Sequence, residues 1–105
     1  MRYTALVKRV LPAGATAVIS SSQLSTELSG EVVILGLQDS VYYGLSQVGT
    51  RIWQLLQTPH TLDQMVSVLV AEYDVTRERA DADLQSLLAD LHARGLIAID
   101  HPDRP

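Results

Sequence analysis

The sequence predicts an α+β fold of the winged helix-turn-helix type, an N-terminal three-stranded antiparallel sheet followed by three helices. Three observations carry that expectation. Residues 31–45 hold two short apolar runs separated by Gln38-Asp39-Ser40, the pattern of a hairpin. Helical spacing then begins at once and recurs three times before Gly95, each time behind a Ser or Thr suited to start a helix. Only Asp74-Val75 separates the last two of these helices, which is the tight connection of a helix-turn-helix.

The first thirty residues are the least regular. Tyr3–Leu11 has the partial alternation of a strand, Pro12-Ala13-Gly14 is a turn, and Thr16–Ser20 has strand composition. A serine-rich stretch follows and is closed by Gly30. The third strand is expected somewhere within residues 16–28, in a register the sequence does not fix.

Glu31–Leu37 is apolar on both faces, as in a strand covered from two sides. Val41–Leu45 follows the turn. Pairing Leu37 with Val41 across a three-residue loop places Val33, Leu35, Leu37, Val41, Tyr43 and Leu45 on one apolar face. Ser46 is the expected N-cap of a first helix over about residues 47–57, with Val48, Ile52, Trp53, Leu55 and Leu56 inward. Thr61-x-x-Gln64 is a capping box for a second helix that buries Met65, Val66, Val68, Leu69 and Tyr73. Thr76 caps a third helix with Ala80, Leu84, Leu87, Leu88 and Leu91 at helical spacing, stopped by Gly95. Leu96–Ile99 reads as a final short strand. No repeat or linker divides the chain, so residues 1–105 form one domain, with 1–30 poorly defined and 100–105 fraying.

Composition narrows the chemistry. The formal charge of −4 opposes nucleic acid, whose binding depends on clustered Lys and Arg. The third helix carries Arg77, Arg79 and Arg94 against Glu78, Asp81, Asp83 and Asp90, an acidic balance for a helix that would enter a major groove. A winged-helix DNA-binding regulator remains the alternative from another class. There is no cysteine, so disulfides, thiolate catalysis and Cys-type zinc sites are excluded. Asp81-x-Asp83 puts its carboxylates on different helix faces, Asp100-His101-x-Asp103 lies in the tail, and no base–nucleophile pair or phosphate loop is present. No enzyme, no cofactor and no metal are expected. The N-terminus is too short and polar for a signal peptide and no apolar run spans a membrane, so a cytoplasmic location without membrane partners is expected.

The Val41–Leu45 strand is the candidate working surface. With no later strand to cover it, it should lie at a sheet edge and offer free N–H and C=O groups to an added peptide. Backbone hydrogen bonds contribute only about 0.5–1.5 kcal/mol each, whereas micromolar binding needs roughly 8 kcal/mol. Apolar pockets must supply the rest, and the third helix is the natural second wall. A proline at Tyr43 is expected to remove a donor that the peptide needs.

Tyr42-Tyr43-Gly44-Leu45-Ser46-Gln47-Val48-Gly49 and Ile52-Trp53, behind the Glu31–Leu37 strand, are followed by Asp83-Leu84, Leu87, Leu88, Leu91, Gly95 and Leu96. In that order and spacing the chain resembles the PqqD-like family of peptide-recognition proteins, over roughly residues 31–97. Ser46 stands where the family usually has Asn, and Gly36 where Asp is common. The resemblance implies a non-catalytic recognition element for ribosomally made, modified peptides. A precursor's leader would add as a strand to Val41, Tyr42, Tyr43 and Leu45, with Arg79, Asp83, Leu84 and Leu87 on the opposite wall. It is most similar to the free-standing proteins of lasso-peptide pathways. That implies as partners a leader peptidase of the transglutaminase-like cysteine protease type and an asparagine-synthetase-like cyclase. A carrier for a radical enzyme in quinone-cofactor synthesis is the rival within the family.

Overall fold

Glycines and capping hydroxyls cut the described residues into nine elements. The computed structural model describes residues 10–101. In order they are β1 (Thr16–Ile19), β2 (Gln23–Leu28), β3 (Glu31–Gly36), β4 (Tyr42–Ser46), α1 (Val48–Leu55), β5 (His60–Thr61), α2 (Leu62–Glu72), α3 (Arg77–Ala93) and β6 (Ile97–Asp100). The expected sheet and three helices are present. The sheet is antiparallel in the order β2-β3-β4, so β4 lies at an edge.

A second three-stranded sheet, β5-β1-β6, joins the two ends of the chain. β1 pairs with β6 from Thr16↔Asp100 to Ile19↔Ile97 and with the two-residue β5 on its other side. The strand expected within residues 16–28 is therefore two strands, one in each sheet. The suggested strand over Tyr3–Leu11 falls almost wholly outside the described residues. Val10 and Leu11 are not in a strand.

Local chemistry accounts for the joints. Ser29 and Gly30 both have positive φ (53° and 81°), which makes the two-residue turn that suits the twist of the β2–β3 hairpin. The Thr61 capping box forms in both directions, at 3.2 Å and 2.9 Å. Thr76 Oγ1 accepts the Arg79 N–H at 3.1 Å. At the far end of α3, Gly95 (φ 74°) donates to His92 O and Leu96 N–H donates to Leu91 O, a Schellman closure that turns the chain into β6.

Two expectations fail at the β3–β4 hairpin and its exit. The register is shifted by one, with Leu35↔Tyr42, Ile34↔Tyr43 and Val32↔Leu45. The cause is a four-residue loop, Leu37–Ser40. It is closed by Gly36 N–H to Val41 O and Ser40 N–H to Gly36 O, and the Asp39 carboxylate accepts the Val41 N–H. Consequently Val32, Ile34, Tyr43 and Leu45 share the core face, while Val33, Leu35 and Tyr42 share the outer face. Leu37 and Val41 stay exposed. Nor is Ser46 the cap of α1, since it closes β4. The N-cap is Gln47, at φ 54° and without a capping side chain. The Thr50 hydroxyl instead donates back to Leu45 O at 2.9 Å and ties α1 to the strand. α1 ends at Leu55, short of the expected residue 57.

The core lies between the inner face of β2-β3-β4 and the three helices. Ile34, Leu56, Met65, Leu84, Leu88 and Leu96 are fully enclosed, and Trp53 donates its indole N–H to Ser25. Val48, expected inward, is at the surface.

Candidate peptide-binding site

The hydrogen-bond parity of β3 decides which groups of β4 are open. Gly36 N–H bonds to Val41 O, in line with the ladder register, so 36/41, 34/43 and 32/45 are the hydrogen-bonded pairs. Tyr43 and Leu45 therefore spend their main-chain groups on β3, while Val41 gives its C=O to Gly36 and its N–H to the Asp39 carboxylate. Tyr42, Gly44 and Ser46 turn theirs outward, where no strand pairs among the described residues. A proline at Tyr43 would thus break the hairpin rather than the outer edge. The positions that test the edge are 42 and 44.

α3 comes near this strand at two places, one through Arg94 and one through the pocket that Leu84 and Leu87 line. At one end, the Arg94 guanidinium sits 4.9 Å from the Tyr43 ring centroid and donates to Tyr43 Oη at 3.3 Å. Tyr43 Oη in turn donates to Asp39. Gln38 of the same loop lies against Gly95, where an added Cβ would meet its Oε1 at 3.0 Å. At the other end, Leu45 packs on Gly49 at the start of α1. There a pocket of about 260 Å³ opens between the three helices, lined by Val48, Ile52, Tyr73, Asp83, Leu84 and Leu87 among others.

The predicted residues fall into three groups. Leu45, Asp83, Leu84 and Leu87 converge on or beside this pocket. Arg79 pairs with Asp83 at 3.1 Å on the exposed helix face, and both border a shallow hollow with Asp74 and Thr76. Such a surface pair contributes little and is cheaply rearranged. Val41 and Tyr42 do not line the groove. Val41 closes the hairpin, and the Tyr42 side chain is 71% exposed on the outer sheet face. Sequence reasoning missed Asp39, Arg94, Ile52 and Tyr73. Ile52 and Tyr73 carried the helical spacing of core residues, which hides a pocket lining.

Asp39 links loop, strand and helix. The Tyr43 hydroxyl, and after it the Val41 N–H, hold its carboxyl below the ordinary aspartate value. Arg94 is held above its usual value, first by its hydrogen bond to Tyr43. Gly36 makes room for this link, because a Cβ there would stand 2.6 Å from Asp39 Oδ1. A carboxyl of lowered pKa contributes fully above its unfolded value, about 3.9. That contribution is lost as pH falls through the lowered value. The Tyr43 ring resonances are therefore expected to shift in acid with the Asp39 titration, and Asp39→Asn to abolish that step. An unchanged titration in the variant would dismiss the link.

The charges of α3 do not form a basic surface. Arg77 pairs with Asp63 at 2.6 Å, Arg79 with Asp83, and Arg94 with Tyr43. Arg51 of α1 is bidentate to Glu72 at 2.8 Å and 2.9 Å. Among the described residues no group of three or more His, Asp or Glu is placed to hold a metal ion. No described helix is long and apolar enough to cross a membrane.

The profile of the family described as "Coenzyme PQQ synthesis protein D (PqqD)" matches residues 31–97, which spans β3 through the start of β6. The chain belongs to the PqqD family. Two solved structures are similar to it. One is "TbiB1 in Complex with the TbiA(beta) Leader Peptide", 38% identical, with a TM-score of 0.72 over 76% of this chain and 93% of that one. The other, "Lasso peptide synthetase B1 complexed with the leader peptide", is 22% identical, with a TM-score of 0.70 over 78% of this chain and 96% of that one. The second supports the PqqD fold alone. Among curated proteins none matches.

Proposed function

We propose that this PqqD-family protein binds the leader segment of a ribosomally made precursor peptide and is itself non-catalytic. The leader adds as a strand to the outer edge of β4 and packs against α3. The protein acts in the cytoplasm and presents the precursor to a leader peptidase of the transglutaminase-like cysteine protease type and an asparagine-synthetase-like cyclase in lasso-peptide biosynthesis. The observation that carries this reading is the open edge of β4 running towards an apolar pocket on α3. The relative at 38% identity was solved with a leader peptide, which supports the same assignment.

The energetics fit a two-part grip. Pairing with Tyr42, Gly44 and Ser46 supplies a few main-chain bonds of about 0.5–1.5 kcal/mol each. Burying one large apolar side chain in the α3 pocket adds about 1.5–3 kcal/mol. Micromolar affinity, roughly 8 kcal/mol, needs both contributions.

The test is calorimetric titration with a synthetic leader of a lasso-peptide precursor. Leu87 lines the pocket but is only half-buried, so Leu87→Asp should fold. It is expected to weaken binding roughly tenfold or more, by about 1.4 kcal/mol or greater. Equal affinity in that variant rejects the α3 wall. Leader cleavage by the peptidase with and without this protein tests the presenting role.

The family description favours a second reading, a carrier of peptide to a radical enzyme in quinone-cofactor synthesis. Titrating both kinds of precursor separates the two. Selective binding of the quinone-cofactor precursor would favour the carrier.

A further inference from the structure

The sheet has a second open edge, and it is complementary to itself. β2 is six residues long, pairs only with β3 among the described residues, and contains neither proline nor lysine. Its one charge is Glu27, which accepts a hydrogen bond from Gln54 of its own chain, and an edge guarded by a single charge remains open to pairing with another chain. Leu37 N–H bonds to Ser22 O in line with the β2–β3 register, so residues 22, 24, 26 and 28 bond to β3. Gln23, Ser25 and Glu27 turn their main-chain groups outward. On the outer face Leu24 and Leu28 are each 61% exposed, beside half-buried Val33 and Leu35 of β3.

We infer that β2 is a homodimer interface. Two copies pair β2 with β2 in antiparallel fashion about a two-fold axis at Ser25, giving one continuous six-stranded sheet. Only this register uses all three outward residues. Ser25 faces its own copy and Gln23 faces Glu27 of the other chain, a neutral amide against a carboxylate. An axis at Glu27 would oppose like charges directly, which is destabilising. An axis at Gln23 would leave Ser25 and Glu27 unpaired. In the favoured register Leu24 lies diagonal to both Leu24 and Leu28 of the second copy, so leucines exposed in one chain cover one another. Both β4 edges remain at the outer ends of the sheet, free for peptide. The inference stands on β2 and does not rest on the identity of what β4 binds.

Sedimentation of the full chain from micromolar to near-millimolar concentration tests it. A dimer is expected. Leu24→Lys, at an exposed position that folding tolerates, should raise the dissociation constant roughly tenfold or more. Circular dichroism should be unchanged. Because the chain has no cysteine, Ser25→Cys should give a covalent dimer with a short bismaleimide, whereas Tyr42→Cys should not. Gly44→Pro, which alters the opposite edge, should leave the dimer intact. A monomer at every concentration, an unchanged dimer in Leu24→Lys, crosslinking at 42 but not 25, or loss of the dimer in Gly44→Pro would each overturn the inference.

Discussion

Gly44→Pro is expected to lower leader affinity by about a hundredfold while the fold survives. Gly44 is a non-hydrogen-bonded partner of Val33, so its N–H points away from β3 and its removal costs the hairpin nothing. A Cβ added at Gly44 meets nothing within 4 Å, and proline is tolerated where a strand's N–H faces solvent. The ring also places Cδ where the incoming strand must sit. The lost bond, about 0.5–1.5 kcal/mol, combines with a peptide carbonyl left unpaired at about 1–3 kcal/mol. The sum is close to the roughly 2.7 kcal/mol that a hundredfold requires. Tyr43→Pro is the instructive contrast. It removes a donor to Ile34 and the ring that Arg94 covers, so it should destabilise the domain by about 3 kcal/mol or more. Any loss of binding there would report unfolding. Retained affinity in a folded Gly44→Pro protein, measured by the same titration, would remove strand addition at β4 from consideration.

The helices were legible because their signals are local. Thr61, Gln64, Thr76 and Gly95 act within one turn of where they stand, and each forms the cap or stop its residue type implies. The edge position of β4 was legible from the absence of a later partner. Its register was not, because the loop length depends on Asp39 reaching Val41 and Tyr43, a contact that periodicity does not encode. The second sheet was hidden for a related reason. β5 has two residues, and β1 and β6 meet across most of the chain. At the candidate site, the place of Leu84 and Leu87 on α3 followed from a leucine stripe, whereas Tyr42 was grouped with them by adjacency. One residue of register decides that its ring faces the opposite side.

A contribution to stability that the sequence did not announce comes from a single amide. Gln85 lies within the leucine stripe of α3, fully buried. Its Oε1 accepts the Leu11 N–H at 3.1 Å and its Nε2 donates to Leu11 O at 3.0 Å. The side chain thus satisfies both main-chain groups of a buried residue as a neighbouring strand would, and holds the N-terminal segment against α3. Gln85→Ala leaves two buried backbone groups unpaired, each costing about 1–3 kcal/mol, less whatever water recovers. A net loss of about 2–4 kcal/mol is expected, a large share of the roughly 5–15 kcal/mol available to a domain. At about 4–8 °C per kcal/mol, the melting temperature should fall by roughly 8–32 °C. Gln85→Met keeps most of the volume and removes only the hydrogen bonds. If Met restores stability to within about 0.5 kcal/mol, the penalty in Ala is a cavity effect and the clasp is incidental. If Met is nearly as damaging as Ala, the paired bonds set the position of α3. Leu84 and Leu87 on that same helix then owe their place opposite β4 to a contact on its other side.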